Sequence, residues 1–163
     1  MDHQFAWRPA AFAAALLLCS ALTGAPAAAG PFTVMSGHWS GGGTLTMSNG
    51  SQDRLRCLAN YMVGQGGGSL RLNIRCASDN YRFDLLSTVV DNGGAVSGEW
   101  SEASRNASGT ITGRTNGERI DVVARGDLFT ASLSLTTSGN QQSVTIVPQG
   151  TEVTRVSLTL SKR

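Results

Sequence analysis

The sequence predicts an all-β protein, most simply an antiparallel up-and-down β-barrel, closed or nearly closed, of about eight to ten strands. Beyond residue 30, apolar and polar residues alternate in short stretches as far as the C-terminus, which is the period of a β-strand. Glycine, asparagine and aspartate separate these stretches, and they tolerate the positive φ that tight hairpins require. No stretch there has the period of an amphipathic helix. A single meander favours a barrel, and a β-sandwich is the alternative.

The chain begins with a predicted secretory signal peptide, residues 1–29. A positive charge precedes an apolar core at 10–22, and small residues mark a cleavage site near Ala29-Gly30. The apolar run is shorter than the roughly 20 residues that a membrane-spanning helix needs. We therefore expect a periplasmic or secreted protein that forms one domain over residues 30–163 and does not span a membrane.

Cys57 and Cys76 predict the central hairpin. They lie at equal distances from a point between Gly66 and Gly67, within a glycine-rich turn, so they face each other if the chain folds back there. In an exported chain, an even pair of cysteines at cross-strand register is most simply a disulfide. The same register places apolar residues of both strands on one face and arginines on the other.

The remaining strands follow from the alternation and from the turn residues. We expect strands at 37–48, 53–64, 69–78, 81–91, 95–103, 108–115, 118–126, 128–137, 142–148 and 152–162. Three further hairpins keep apolar residues on the same face. Their predicted pairs are Cys76 with Phe83, Ile74 with Leu85, Val89 with Val96, Leu85 with Trp100, Ala124 with Phe129, Val122 with Ala131 and Ile120 with Leu133.

Two parts of the chain resemble each other faintly. Residues 36–40 (SGHWS) are similar to 97–101 (SGEWS), and 43–46 (GTLT) to 109–112 (GTIT). Two similar half-sheets would close on each other into a barrel. Repeated use of the same strand and turn chemistry explains the similarity equally well.

Residues that carry most enzyme chemistry are scarce. Beyond the predicted signal, His38 is the one histidine, which argues against nucleophile triads, zinc sites and most general bases. Most carboxylates fall in turns or at outward positions. We therefore expect no catalytic residues, no metal and no cofactor. The net charge is only +2, and no exposed aromatics interleave with the basic residues, so a nucleic-acid partner is not expected either.

The inward aromatic residues form the first candidate site, a pocket for a small hydrophobic ligand. Its residues are Trp39, Tyr61, Phe83, Trp100 and Glu102. Glu102 has the parity of Trp100 and therefore faces the apolar side. Either it contacts a ligand, or it is a barrel-end residue that pairs with Arg105.

Five arginines on the opposite face of three neighbouring strands form the second candidate site. They are Arg54, Arg56, Arg71, Arg75 and Arg82, and only Asp53 and Asp84 offset their charge. Such a cluster would hold an anionic polymer or glycolipid of the cell envelope. A solvated outer face that guards against aggregation is the alternative. A further alternative for the whole protein is a protein–protein interaction module, such as an inhibitor of an exported enzyme or a component of an envelope assembly.

Several motifs carry a resemblance to known proteins. Residues 36–45 (SGHWSGGGTL), 54–57 (RLRC), 76–78 (CAS) and 97–102 (SGEWSE) resemble small exported proteins of alphaproteobacteria. This resemblance implies a periplasmic or secreted location and brings no activity with it. The shorter Gly-x-Trp motif near the start of the meander is similar to lipocalin and avidin barrels, which implies a barrel and no particular binding residue.

Overall fold

A computed structural model describes residues 29–127 and 129–163 of the protein. The predicted signal peptide lies outside the described residues, apart from Ala29. The described residues form ten strands, and the bounds of these strands differ from the predicted ones by one or two residues at most. They are β1 (Gly37–Met47), β2 (Gln52–Val63), β3 (Ser69–Ala77), β4 (Arg82–Asn92), β5 (Ala95–Glu102), β6 (Ala107–Asn116), β7 (Arg119–Gly126), β8 (Thr130–Ser138), β9 (Gln141–Gln149) and β10 (Val153–Lys162).

The strands form one closed antiparallel barrel in chain order. Each strand pairs with the next, and β10 returns to pair with β1, with Leu45 opposite Val156. The up-and-down barrel prediction is confirmed. Closure leaves every strand with two neighbours, so the barrel has no open sheet edge.

The hairpin of β2 and β3 carries the predicted disulfide. Cys57 and Cys76 are directly paired, their Cα atoms are 4.1 Å apart, and their sulfurs are bonded. The turn uses Gly66 and Gly67 at φ of 72° and 77°, a backbone region that glycine enters without steric cost. The predicted register and the disulfide are both confirmed. The pairs predicted between β3 and β4 are confirmed as well.

The predicted register between β4 and β5 is wrong by two residues. The turn is formed by Gly93 and Gly94, both at positive φ, rather than by Asn92 and Gly93. The centre of the hairpin therefore lies one residue further along the chain. The observed partners are Val89 with Gly98, Ser87 with Trp100 and Leu85 with Glu102.

The register between β7 and β8 is also wrong by two residues. The N–H of Gly126 donates to the carbonyl oxygen of Phe129 at 3.0 Å, so the centre of this hairpin also lies one residue further along the chain than predicted. The observed partners are Ala124 with Ala131, Val122 with Leu133 and Ile120 with Leu135. A shift of two residues keeps each side chain on its own face. The assignment of inward and outward residues is therefore unaffected in both hairpins.

The two ends of the barrel differ. At the end that carries the turns after β2, β4, β6 and β8, the segment before β1 folds across the opening and includes the short 3-10 turn Thr33–Met35. The N–H groups of Gly30 and Phe32 donate to the carbonyl oxygens of Gly66 and Gly67. The side chains of Phe32 and Met35, which belong to this segment, are fully buried. We call this the plugged end, and no strand signal in the sequence predicts it.

The two similar parts of the sequence occupy different places in the barrel. Residues 36–40 enter β1 at the plugged end, whereas 97–101 approach the opposite end in β5. Residues 43–46 lie in β1 and 109–112 lie in β6. The similarity therefore does not correspond to two equivalent half-barrels.

In the part of the chain that the structure describes, helical structure is limited to the 3-10 turns Thr33–Met35 and Gln65–Gly67. Within 29–127 and 129–163, no helix has the length and apolar character needed to cross a bilayer.

Candidate functional site

The barrel encloses an apolar cavity of about 330 Å³. Inward side chains of the strands form its wall, among them Leu72, Phe83 and Val122. The few residues with polar side-chain groups in the lining are Tyr61, Cys76, Tyr81, Ser87, Trp100, Glu102, Arg105 and Thr151. Small-molecule pockets in proteins span about 300 to 1,000 Å³ and are mostly apolar. The cavity is therefore of a size and character to hold one small hydrophobic molecule.

Four of the five predicted pocket residues line this cavity: Tyr61, Phe83, Trp100 and Glu102. Trp39 does not. It is the third residue of β1, at the plugged end, where its Nε1 donates to the carbonyl oxygen of Met35 at 2.8 Å. Trp39 therefore supports the plug rather than the cavity wall.

A buried hydrogen-bonded chain lies near the plug. The hydroxyl of Tyr61 donates to Oε1 of Gln142 at 2.6 Å, and Nε2 of Gln142 donates to Oγ1 of Thr137 at 3.1 Å. Burial raises the pKa of Tyr61, and the hydrogen bond to Gln142 lowers it only in part. The phenol therefore remains a neutral donor at physiological pH, and the buried chain from Tyr61 to Thr137 consists of hydrogen-bonded neutral groups.

Trp100 forms part of the cavity wall towards the end of the barrel opposite the plug. Its ring centroid is 5.3 Å from that of Phe129, and a side chain at Gly109 or Gly126 would collide with the indole. Its Nε1 is buried, and no residue in the described part of the chain accepts a hydrogen bond from it. Trp100 therefore contributes its apolar surface to the cavity.

The mouth of the cavity lies opposite the plug. Arg105 and Thr151 are the exposed members of the lining, and they belong to the turns after β5 and β9. The guanidinium of Arg105 lies over the ring of Tyr81 at 5.2 Å from its centroid. Arg105 is absent from the predicted pocket because a strand pattern carries no information about where turn side chains point. Tyr81 begins the predicted strand 81–91 with the inward parity of Phe83, but the predicted pocket did not include it.

Glu102 organises the turn at this mouth. It accepts hydrogen bonds from the N–H of Asp84 at 2.9 Å, the N–H and hydroxyl of Ser104, and the N–H of Arg105 at 2.9 Å. Nη1 of Arg105 lies 3.5 Å from its Oε2, so the predicted barrel-end pair is present. Burial alone would raise the pKa of Glu102, but these hydrogen bonds and the charge of Arg105 outweigh burial and hold the pKa below its usual range.

The five predicted arginines all lie exposed on the outer face of β2, β3 and β4, which we call the arginine face: Arg54, Arg56, Arg71, Arg75 and Arg82. Arg75 is paired with Asp84 at 3.0 Å. Asp53, expected to offset the arginines, instead accepts hydrogen bonds from Ser78 and Asn80 of the turn after β3. It has the inward parity of Leu55 and so lies on the side of the strand away from the arginines.

Exposed apolar side chains accompany these arginines on two of the three strands, β2 and β4. They are Leu58, Met62, Leu86 and Val90, with exposed fractions of 57%, 48%, 47% and 40%. In the register, Leu58 is opposite Arg75 and Met62 is opposite Arg71. Their outward parity is visible in the sequence, but the prediction considered only the charged residues of this face. The face is therefore amphipathic rather than purely basic.

In the described ranges 29–127 and 129–163, no three His, Cys, Asp or Glu residues are grouped in a way that would hold a metal ion. His38 is exposed near the start of β1.

Comparison with known proteins shows the fold alone. No family model and no curated protein matches the chain. Among solved structures, the protein is similar to the S-type phycobiliprotein lyase CPES from Guillardia theta, with a TM-score of 0.56 and 14% sequence identity over 81% of this chain and 89% of that chain. This likeness supports the barrel, and none of the comparisons supports the predicted resemblance to small exported proteins.

Proposed function

We propose that this protein is an exported, non-enzymatic barrel that binds a small hydrophobic molecule in its interior. The observation that carries the proposal is the cavity of about 330 Å³, apolar along its wall and open at one end. The Cys57–Cys76 disulfide is compatible with an oxidising compartment. The structural neighbour is named as a phycobiliprotein lyase, but at 14% identity it supplies the architecture and no ligand.

The cavity proposal predicts a saturable response to a neutral apolar dye. We expect phenylnaphthylamine to bind with one-to-one stoichiometry and to change tryptophan emission, because Trp100 lines the cavity. Trp100→Phe should reduce the protein-side signal most, and it removes no hydrogen bond of the indole within the described chain. Trp39→Phe is the matched control and should reduce the signal less, because Trp39 contacts the plug and does not line the cavity.

A cavity-filling variant makes the dye experiment decisive. Ala131 lines the cavity from β8, and Ala131→Leu should weaken dye binding several-fold while the barrel stays folded by circular dichroism. Unchanged dye affinity in this variant would place the dye elsewhere and contradict the proposal.

A second candidate function uses the arginine face, and its apolar residues favour it. We infer that this face binds an anionic lipid surface of the cell envelope. Guanidinium groups hold anionic headgroups, while side chains such as Leu58 and Leu86 enter the interfacial region. A protein partner, the further alternative, would have to bind the faces or loops of this barrel. A closed barrel offers no edge strand to which a partner could add a strand.

Vesicle sedimentation tests this second function. Binding to anionic phospholipid vesicles should exceed binding to neutral ones and should fall as salt is raised. Each arginine near an anionic surface contributes about 1 kcal/mol, so serine at Arg56, Arg71 and Arg75 together should weaken binding on the order of a hundredfold. Serine at the exposed Arg114, Arg125 and Arg155 is the control for charge alone. Equal losses in both triple variants would show that net charge, and not this face, causes binding.

A further inference from the structure

We propose that the ligand of the cavity is an amphipathic anion, a single apolar chain that lies inside the barrel with its anionic head held at the mouth by Arg105. The inference rests on the proposed binding of a hydrophobic molecule and adds the class of the molecule and its orientation. The shared chemistry is an alkyl chain that ends in a carboxylate or a phosphate.

Charge at the mouth is the first argument. Arg105 is the one basic residue among the residues that line the cavity in the described chain. It is also half-exposed, with 48% of its side chain accessible, so its guanidinium lies where the apolar wall meets water. An amphipathic molecule places its head at such a boundary and its chain in the interior.

The geometry of Arg105 is the second argument. Its Nη1 lies 3.4 Å from the carbonyl oxygen of Arg82, 3.4 Å from Oγ of Ser104 and 3.5 Å from Oε2 of Glu102. Ordinary N–H···O hydrogen bonds measure about 2.7 to 3.2 Å, so all three contacts are long. A guanidinium carries five N–H donors in a planar fork that matches carboxylate and phosphate oxygens. Arg105 therefore keeps donor capacity for an anion.

Glu102 is the only acidic residue of the lining within the described chain, and it does not favour a cationic head. A carboxylate offers about four lone-pair sites. The N–H groups of Asp84, Ser104 and Arg105, with the Ser104 hydroxyl, already occupy them. The carboxylate thus holds the turn that presents Arg105, and an ammonium head would meet an acceptor that is already satisfied.

The polarity of the lining along the barrel gives the orientation. Below the mouth the wall is formed by aromatic and aliphatic side chains, including Phe83, Leu85 and Trp100, and the cavity ends at Phe32 and Met35. A head that entered first would lose its hydration against these side chains, which is costly for a charged group. The chain therefore enters first, and the head stays at Arg105.

A series of probes with one chain and different heads tests this inference. Dodecanoate, dodecyl phosphate, dodecanol and dodecylammonium are each used, below their aggregation concentrations, to displace phenylnaphthylamine from the folded protein at neutral pH. We expect both anions to bind about tenfold more tightly than dodecanol, and dodecylammonium to bind no better than dodecanol. A preference between the two anions identifies the head.

Variants connect the preference to Arg105. Arg105→Gln should remove the tenfold advantage of the anions over dodecanol. Arg155→Gln makes the same charge change at an exposed position of β10 outside the lining and should leave all affinities unchanged. Equal affinities for dodecanoate and dodecanol, or equal effects of the two substitutions, would overturn the anion proposal while dye and dodecanol binding still supports the cavity. If no probe displaces the dye, both the anion proposal and the proposed hydrophobic cavity ligand are overturned.

Discussion

Replacing Cys57 and Cys76 with alanine is expected to lower the free energy of unfolding by about 3 kcal/mol, because the bridge closes a loop between residues 19 apart and restricts the unfolded chain. Both cysteines are buried on the inner face of the hairpin and exchange no hydrogen bonds that alanine would leave unmet. Urea denaturation followed by circular dichroism measures the loss.

Two controls separate the bridge from packing. Cys57→Ala alone should cost nearly as much as the double substitution, because either change removes the bridge. Dithiothreitol should reduce the native protein slowly, since the sulfurs lie inside the barrel wall and become accessible only when the hairpin opens. A double variant within 1 kcal/mol of the unaltered protein would contradict the stabilising role.

Glu102→Gln is expected to lower the free energy of unfolding by about 2 kcal/mol at neutral pH. The amide keeps the shape of the carboxyl but loses its charge, and one of its two acceptor atoms becomes a donor. The N–H groups of Asp84, Ser104 and Arg105 then compete for a single oxygen. Urea denaturation measures the loss, and Glu99→Gln is the control, because Glu99 is exposed on the outer face of the same strand. A substitution at such a position changes stability by about 0.5 kcal/mol at most.

The same variant predicts a pH dependence. The pKa of Glu102 is lower in the folded protein than the usual 4.5. A carboxyl with a lowered pKa stabilises the fold fully above its unfolded pKa, and this contribution disappears as pH falls through the folded value. The difference between the unaltered protein and Glu102→Gln should therefore be complete at neutral pH and shrink in acid. A difference that is constant down to strongly acidic pH would show that the charge of Glu102 is not involved.

The barrel was predictable from sequence because its signals are local. Alternation assigns each strand residue to a face, and Cys57 and Cys76 fix one hairpin at full precision because only one register brings them together. The period of two cannot distinguish registers that differ by two residues. Asn92-Gly93 and Gly93-Gly94 are both acceptable tight turns, so the partner of Trp100 was misassigned while its inward direction was correct.

The candidate site was predictable only where strands build it. Phe83 and Trp100 were placed in the pocket by parity, and the structure finds both in the lining. The plug comes from a segment without a period, where contacts are set by how the chain crosses an end of the barrel. Arg105 was predicted as a partner of Glu102, but its place in the cavity lining was not, because it lies in a turn. The sequence contains a weak signal for the plug. Apolar residues directly before a first strand require a place to be buried, and Phe32, Val34 and Met35 are such residues. Val34 nevertheless stays half-exposed.

Because Phe32 and Met35 close one end of the barrel, the cavity opens to solvent at the mouth alone. A second molecule of the proposed ligand cannot displace a bound one through the plugged end. Each exchange therefore requires the bound molecule to dissociate before another enters. The dissociation rate of the proposed ligand is then independent of the concentration of competitor in solution. A molecule that binds as proposed therefore enters and leaves at the same end of the barrel, the mouth that carries Arg105.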